Sequence, residues 1–187
     1  MGWIIAAIVI GCALYAVYVY NRLVRHRNLV GEGWSGIDVQ LRRRADLVPN
    51  LVETVKVYAR HESGVLQDVV TARTAGASAS SVSGQAVAAQ ALQAALGRLF
   101  VLAEAYPDLK ADKNFLTLQG QLAEIEDQLQ MARRYYNGTA RDFNTLLQSF
   151  PDVIFANLFG FRPVQFFEIE DAAGRAVPQV TFEAKAP

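Results

Sequence analysis

An unbroken apolar run lies near the N-terminus of the chain. Residues 3–20, WIIAAIVIGCALYAVYVY, contain no charged side chain. As a helix the run would be about 27 Å long, close to the ~30 Å hydrocarbon core of a bilayer. A helix buried in a soluble protein normally keeps a polar face over that length, so a core helix is the weaker alternative. Trp3 at one end and Tyr15, Tyr18 and Tyr20 towards the other are typical of interfacial aromatic belts. The pattern predicts a membrane anchor.

Beyond this run, apolar residues recur at steps of three and four from Val30 to Ala72, and the register crosses Pro49 unchanged. Proline removes a helix donor and clashes with the carbonyl four residues earlier, which costs ~3 kcal/mol in a straight helix. The spacing therefore predicts one helix that bends near residues 45–49 and continues to Ala72. It disfavours two helices folded back on each other.

A second helix is expected after a stretch of small residues. AGASASSVSG, residues 75–84, consists of small and turn-forming residues and predicts a flexible connection. Ser83 is the expected N-cap of a helix over residues 84–105. Tyr106-Pro107-Asp108 ends that helix, because the residue before proline is disfavoured in the helical region.

The third helix is the longest of the body. Its apolar steps of three and four predict a helix from Asp112, a good capping residue, to Phe150, with Pro151 ending it. Residues 152–159 predict a short helix. The rest is expected to form two extended stretches packed on the bundle, residues 161–170 and 177–183, around a turn at Asp171–Gly174.

Amphipathic helices of this length must bury one another, and short connections make neighbours antiparallel. The predicted fold class is all-α: an elongated antiparallel bundle of three long helices with coiled-coil-like packing, the first bent near Pro49. A short C-terminal helix and an extended tail complete it, on a single N-terminal transmembrane helix. The expected domains are an anchor at residues 1–21, a bundle at 22–160 and a packed tail at 161–187.

The composition disfavours several function classes. The 18 Lys and Arg balance the 18 Asp and Glu, which speaks against a nucleic-acid binder. Cys12 is the only cysteine, which excludes an intrachain disulfide. His26 and His61 leave little for metal chemistry; His61-Glu62 begins like a zinc-protease motif, but Val65 stands where the second histidine belongs. We expect no catalytic, cofactor-binding or metal-binding residues, no small-molecule substrate and no enzymatic activity.

The sequence before Cys12, Val9-Ile10-Gly11, resembles a lipoprotein cleavage site. However, the apolar run continues for eight residues beyond Cys12, and no basic residue precedes it. We therefore expect the segment to stay attached, with Cys12 acting as a small apolar side chain rather than a lipidation site.

Charge sets the expected orientation. Arg22, Arg25 and Arg27 follow the apolar run and no Lys or Arg precedes it. The positive-inside rule then predicts a single-pass protein of the cytoplasmic (inner) membrane, with its N-terminus outside and its bundle in the cytoplasm.

Two charged segments are of opposite sign. Residues 22–44 hold six arginines against two acidic residues, and residues 101–130 hold six acidic residues against two lysines. They would either pack against each other or be solvated independently. A continuing helix would place residues 42–44 about 33 Å beyond Tyr20. At that distance, well beyond a Debye length of ~8–10 Å, the three arginines need a protein partner rather than lipid.

Arg44 and Glu62 are the polar residues on the inward register of the first helix. We expect each to meet an opposite charge or a polar group from another helix, with Glu104 or Glu126 as the partner of Arg44, because an unpaired buried charge is costly. The alternative is that both side chains reach solvent at the edge of the bundle.

Four stretches of the sequence carry a family resemblance. They are WSGIDVQLRRRADLVPNLVETVKVYARHE (34–62) with Ala72-Arg73, AEAYPDLKADKNFLTLQGQLAEIED (103–127), ARRYYNGTARDFNTLLQSFP (132–151), and FGF followed by FFE within 159–168. By these motifs, in this order, the chain resembles the LemA family over almost its whole length. The resemblance implies a helical bundle on one N-terminal membrane helix, with no agreed biochemical activity. It also suggests a link to bacterial envelope quality control, because family members are often encoded beside membrane proteases of the HtpX type. The connection at 75–84 departs from the family pattern.

The resemblance marks a set of motif positions that we expect to be structural rather than catalytic. They are Arg44, Asp46, Pro49, Asn50, His61, Glu62, Arg73, Glu104, Tyr106, Pro107, Asn114, Phe115, Glu126, Tyr136, Asn137, Asn144 and Pro151. The asparagines are expected to cap bends or cross-link helices.

The expected function is that of a scaffold or adaptor. It would contact the lipid bilayer through residues 3–20 and assemble with itself, as a homo-oligomer, or with another envelope protein. The alternative is an envelope-stress sensor or regulator linked to membrane protein quality control. That role would require two populated conformations of the bent helix.

Overall fold

The computed structural model describes residues 1–168, which form six helices and no strand. The helices are α1 (Gly2–Tyr58), α2 (Ser63–Ser78), α3 (Val82–Ala103), α4 (Pro107–Lys110), α5 (Lys113–Gln148) and α6 (Asp152–Leu158). The predicted all-α bundle with an apolar N-terminal helix is confirmed. The expected turn at Asp171–Gly174 and the second extended stretch, 177–183, lie outside the described residues.

α1 does not continue to Ala72 as the sequence predicted. It passes through Pro49 without ending and stops at Tyr58. After a break at residues 59–62 the chain turns back, and Nε of Arg73 in α2 donates a hydrogen bond of 2.8 Å to the carbonyl oxygen of Ala45 in α1. The prediction of a single bent helix to Ala72 is therefore wrong. α1 and α2 face the same core, so apolar residues keep the same spacing across the turn between them. The spacing therefore does not reveal the turn.

The connection between α2 and α3 is shorter than predicted. α2 extends through Ser78, so most of the small-residue stretch at 75–84 is helical. α3 begins two residues earlier than expected, and its N-cap is Ser81, not Ser83: the hydroxyl of Ser81 accepts a hydrogen bond of 3.0 Å from the backbone N–H of Gly84. An N-cap serine accepts a hydrogen bond from the backbone N–H two or three residues later, in the first turn of the helix. Both Ser81 and Ser83 could do so, and the sequence alone does not decide between them.

The start of α5 follows the sequence prediction. The Asp112 carboxylate caps the helix by accepting hydrogen bonds from the backbone N–H groups of Asn114 (2.8 Å) and Phe115 (2.9 Å). The hydrogen bond from the backbone N–H of Phe115 lowers the pKa of Asp112 below its usual value. Hydrogen bonds from the Tyr58 hydroxyl and from the backbone N–H of Asn114 lower it further. Because Tyr58 is the last residue of α1, this contact joins the ends of the two longest helices.

The helices pack in two layers of antiparallel pairs, α1 with α5 and α2 with α3. Their buried residues form two clusters. The distal cluster joins the second half of α1 to α2, α3 and the start of α5, and includes Val48, Leu51, Val55, Val69, Leu99 and Phe115. The proximal cluster joins the first half of α1 to the start of α3, the second half of α5, α6 and Phe167, and includes Val19, Leu23, Ile37, Leu129, Phe143 and Ala156.

Within residues 1–168, two helices are long and apolar enough to cross a membrane, α1 through its first part and α3. They differ in burial. Nearly every residue from Gly2 to Tyr18 is exposed, whereas α3 buries a full face that includes Leu92, Leu96 and Leu99. α3 is therefore explained as a core helix of the bundle, and α1 carries the apolar segment that the bundle leaves uncovered.

The backbones of α1 and α5 approach closely at Gly33. A Cβ atom at Gly33 would lie 3.0 Å from Cα of Tyr136 and 3.3 Å from Cδ1 of Tyr135. Because the nearest atom belongs to the backbone of α5, it can yield only if the helices separate. A side chain here would push α1 and α5 apart, which favours glycine, and the neighbouring Gly31, with nothing within 4 Å of its Cβ position, is free of that constraint.

We expect Gly33→Leu to lower the free energy of unfolding by about 1–3 kcal/mol, the range for overpacking a close contact. Gly31→Leu, on the open side of the same helix turn, is the matched control and should stabilise by a few tenths to ~1 kcal/mol through helix propensity. Urea unfolding of the detergent-solubilised chain measures both. Equal effects of the two substitutions would contradict the close-packing explanation.

Candidate functional site

A buried arginine lies where the two clusters meet. Arg44 on α1 is only 2% exposed. Its Nη1 donates a hydrogen bond of 2.9 Å to Oε2 of Glu126 on α5, and its Nη2 donates one of 3.0 Å to the carbonyl oxygen of Ala89 on α3. One guanidinium therefore joins three helices. Of the two carboxylates expected as its partner, the structure pairs it with Glu126, and Glu104 is exposed at the end of α3.

The charge of Arg44 is only partly compensated. Burial lowers the pKa of Arg44 below its ordinary value, the nearby Glu126 raises it, and Arg133 lowers it again. Among the described residues, Nε of Arg44 has no hydrogen-bond partner. Arginine stays protonated in proteins even so. The core of the bundle thus contains a permanent positive charge that depends on a single carboxylate.

A cleft of about 420 Å³ opens beside this arginine, between α1, α2 and α3. Arg42, Arg44 and Arg73 are among its lining residues, and so are Asp38 and Asp46. Most of these charges are already engaged: Arg42 pairs with Asp38 at 2.9 Å, and Arg73 donates to the backbone of α1. Within residues 1–168, no group of three or more His, Cys, Asp or Glu side chains is placed to hold a metal ion.

Two asparagines of α5 hold the segment that follows α6. The side chain of Asn144 donates to the carbonyl oxygen of Val164 and accepts from its backbone N–H, both at 2.9 Å. Asn137 does the same with Phe167, at 3.3 Å and 2.8 Å. Seven helical residues span about 10.5 Å and three extended residues about 10 Å, so the two amides match the repeat of the extended chain. We call residues 164–167 the clamped segment.

The clamped segment has further contacts with α5. The Tyr136 hydroxyl donates a hydrogen bond of 2.6 Å to the carbonyl oxygen of Gln165, and burial raises the pKa of Tyr136. The guanidinium of Arg133 lies 5.1 Å from the ring centroid of Phe167, a cation–π distance. Trp34 on α1 packs on both the Tyr136 and Phe167 rings. Residues 164–167 are therefore part of the folded bundle.

The distal end of the bundle has its own polar contacts. Glu62 is half-buried at the N-cap of α2 and accepts a hydrogen bond of 3.3 Å from the Tyr106 hydroxyl. Its partner is thus a polar group of the loop between α3 and α4. His61 beside it is exposed.

Comparison with known proteins identifies the family of this chain. Residues 33–182 match the LemA family, and this range contains every motif quoted for the resemblance. The chain belongs to the LemA family. The match begins at Gly33, where the backbones of α1 and α5 approach closely, and leaves the exposed apolar segment outside it.

Relatives with curated names extend this similarity. The chain is 27% identical over 140 residues to Protein LemA of Metamycoplasma hominis, covering 73% of this chain and 64% of that protein. It is 25% identical over 174 residues to Magnetosome protein MamQ of Magnetospirillum gryphiswaldense, covering 78% and 64%. A MamQ protein of Paramagnetospirillum magneticum is 24% identical over 179 residues, covering 82% and 66%. The chain spans slightly less than two thirds of the length of these relatives.

The LemA motif positions fall into three groups that the structure brings together and one that it does not. The first group lies around Arg44 and contains Glu126 and Arg73. The second, Tyr136, Asn137 and Asn144, holds the clamped segment, so these asparagines neither cap bends nor cross-link helices. The third lies at the distal end and contains Glu62, Tyr106, Pro107 and Phe115. The remaining positions are Asp46, Pro49, Asn50, His61, Glu104 and Asn114, which are exposed, and Pro151, which precedes α6.

Among the ion pairs that sequence reasoning missed, one involves a buried carboxylate of the LemA bundle. Nη1 of Arg22 lies 3.0 Å from Oδ2 of Asp152, which is 4% exposed, at the start of α6. The sequence pattern places Arg22 among the arginines that follow the apolar run and in the basic segment 22–44, and does not indicate Asp152 as its partner. The signal available was an acidic residue directly after Pro151, since carboxylates are favoured in the first turn of a helix.

Proposed function

We propose that this LemA-family protein is a non-enzymatic scaffold or adaptor that residues 3–20 anchor in the cytoplasmic membrane as a single-pass helix. The observation that carries the proposal is the continuity of α1. One helix without a break contains both the exposed apolar segment and nine residues buried in the bundle. Its 57 residues correspond to about 85 Å. A rigid helix of that length holds the distal end of the bundle at a fixed height above the membrane.

The placement of charges supports a cytoplasmic bundle. Arg25 and Arg27 follow the apolar segment within seven residues of its end. Arg22 contributes less than the sequence suggested, because it pairs with Asp152, but Arg162 is exposed after α6 and adds a positive charge at the same end of the bundle. The positive-inside rule then favours an N-terminus outside and a bundle inside.

The scaffold role rests on shape and available surface. α1 and α5 lie side by side as an antiparallel pair and present long exposed faces, and α5 alone is about 54 Å long. The exposed motif residues Asp46, Asn50 and His61 lie on the outside of the half that points away from the membrane. Such a surface suits lateral assembly with further copies of the chain or with another envelope protein.

Membrane retention and mass test this proposal together. The full chain should remain in membranes through high-salt and alkaline carbonate washes, because an inserted helix is not released by charge screening. After detergent release, native mass spectrometry should show multiples of the 20.5 kDa chain or a co-extracted partner. Ile8→Arg, in the centre of the apolar segment, is the control that should weaken retention, since a central arginine costs about 2.5–3.5 kcal/mol on insertion scales. A carbonate-soluble chain would contradict the anchor, and a bare monomer would contradict the scaffold.

A further inference from the structure

We propose that α6 lies in the membrane interface and inserts its exposed apolar face into the lipid bilayer, an inference that rests on the proposed anchoring of residues 3–20. The exposed face consists of Phe150 (82% exposed), Ile154 (55%), Leu158 (72%) and Phe159 (43%). Ile154 and Leu158 lie one helical turn apart on α6, and Phe150 and Phe159 flank its two ends. We call these four residues the α6 face.

The depth of α6 follows from its contacts with α1. The Phe155 ring lies 5.8 Å from the Tyr15 ring, and the Phe159 ring lies 5.0 Å from the Tyr20 ring. Both tyrosines belong to the apolar run at 3–20, and Tyr15 is five residues inside its end. That distance is about 7.5 Å along the helix axis, within the ~5–10 Å at which interfacial helices bury their apolar face.

The apolar run is too short for the residues that contact α6 to lie outside the bilayer. The run from Trp3 to Tyr20 spans about 27 Å against a hydrocarbon core of ~30 Å, so a spanning helix uses all of it. The stretch from Tyr15 to Tyr20, where α6 packs, must then lie at the level of the membrane boundary. α6 is bound to that stretch and reaches the same level.

The charges around α6 fit this position. No charged residue occurs from Val153 to Phe161, and the single acidic residue of α6, Asp152, is buried and paired with Arg22. Arg162 is exposed directly after the uncharged stretch, where a guanidinium could reach lipid headgroups. The exposed polar side chain within α6 is Asn157, a neutral amide that the interface tolerates better than the hydrocarbon core. A lipid surface matches this chemistry because it covers the apolar face without requiring a charged partner.

Spin-label accessibility in the full chain tests the inference. On a Cys12→Ser background, labels are attached singly at Ile154→Cys and Leu158→Cys, and the chain is reconstituted into vesicles of phosphatidylcholine and phosphatidylglycerol. Two reference sites use equally exposed residues: Ile8→Cys within the anchor and Val101→Cys near the distal end of α3. Both α6 labels should show a ratio of oxygen to nickel-chelate accessibility several-fold above that at position 101. Oxygen concentrates in lipid and the chelate stays in water.

The reference sites separate the possible failures. If position 8 is lipid-exposed but positions 154 and 158 are accessible to the chelate, the α6 inference is overturned and the anchor stands. If position 8 is also water-exposed, the anchor of the proposed function fails and this inference fails with it. If the α6 labels are shielded from both oxygen and the chelate, a protein surface rather than lipid covers the α6 face, which overturns the inference in favour of a second copy of the chain.

Discussion

Arg44→Ala is expected to lower the free energy of unfolding by about 2–5 kcal/mol, the range for truncating a long buried side chain to alanine. Arg44 is 2% exposed. Among the hydrogen bonds of the described residues, those of Arg44 are the only ones by which a single side chain joins α1, α3 and α5. Its loss leaves a cavity between the two clusters and removes a hydrogen-bond donor from the carbonyl of Ala89. The effect combines lost packing with the loss of the two hydrogen bonds that join α1 to α3 and α5.

The neighbouring arginine provides a matched control. Arg43 is exposed, and its guanidinium contacts only side-chain oxygens, those of Gln40 (3.3 Å) and Gln128 (3.5 Å). We expect Arg43→Ala to change the free energy of unfolding by no more than ~0.5 kcal/mol. Urea unfolding of the full chain in detergent, followed by circular dichroism, compares the two variants. Overlapping transitions for the wild type and Arg44→Ala would show that the buried pair does not stabilise the bundle.

Two further variants separate charge from volume. Arg44→Met keeps most of the side-chain volume and leaves Glu126, whose side chain is 26% exposed, able to reach water. Glu126→Gln keeps the shape but leaves the buried guanidinium without its counter-charge. If charge neutralisation matters most, Glu126→Gln is the more destabilising of the two. The reverse order would assign the role of Arg44 to the hydrogen bonds that its guanidinium donates to Glu126 and Ala89, which methionine cannot make.

The sequence predicted the features of this fold that depend on local chemistry. The apolar run, the cap at Asp112 and the short helix after Pro151 each follow from a few neighbouring residues, and the structure has all three. The reversal at 59–62 was missed because the residues that mark it, Arg60 to Gly64, are polar or small but include no proline. The stronger breaker, Pro49, lies inside an intact helix, where the Ala45 carbonyl that lacks the N–H of residue 49 accepts a hydrogen bond from Arg73 instead.

The sequence predicted the candidate site only where a charged residue stood among apolar residues on the same helix face. Arg44 drew attention because a charge stood on an apolar register, and from that a carboxylate partner on another helix followed. The clamp by Asn137 and Asn144 gave no such signal. Asparagine on a helix surface is ordinary, and its partners here are backbone groups about 20 to 30 residues away that only the fold brings near. Contacts between a side chain and a distant backbone carry no sequence pattern of their own.

Asn144→Ala is expected to release the clamped segment while leaving the bundle folded. The substitution removes two hydrogen bonds to Val164 and leaves its N–H and carbonyl without their partners. At about 1–3 kcal/mol for the unsatisfied groups, local opening becomes ~5–150 times more frequent. Hydrogen exchange of the peptide covering residues 162–168 should accelerate by that factor, because exchange there reports local opening. Peptides from α3 should be unchanged.

Asn114→Ala is the matched control, since Asn114 is an exposed asparagine in the first turn of the same helix, at the opposite end of α5 from the clamp. Its substitution should leave exchange at 162–168 at the wild-type rate. Asn137→Ala should accelerate exchange at Phe167 more than at Val164, because each amide holds its own residue. The double substitution should exceed either single one, since two clamps seven residues apart hold one short segment. If Asn144→Ala exchanges like the wild type, the aromatic contacts of Phe167 with Trp34 and Arg133 hold the segment without help from the amides.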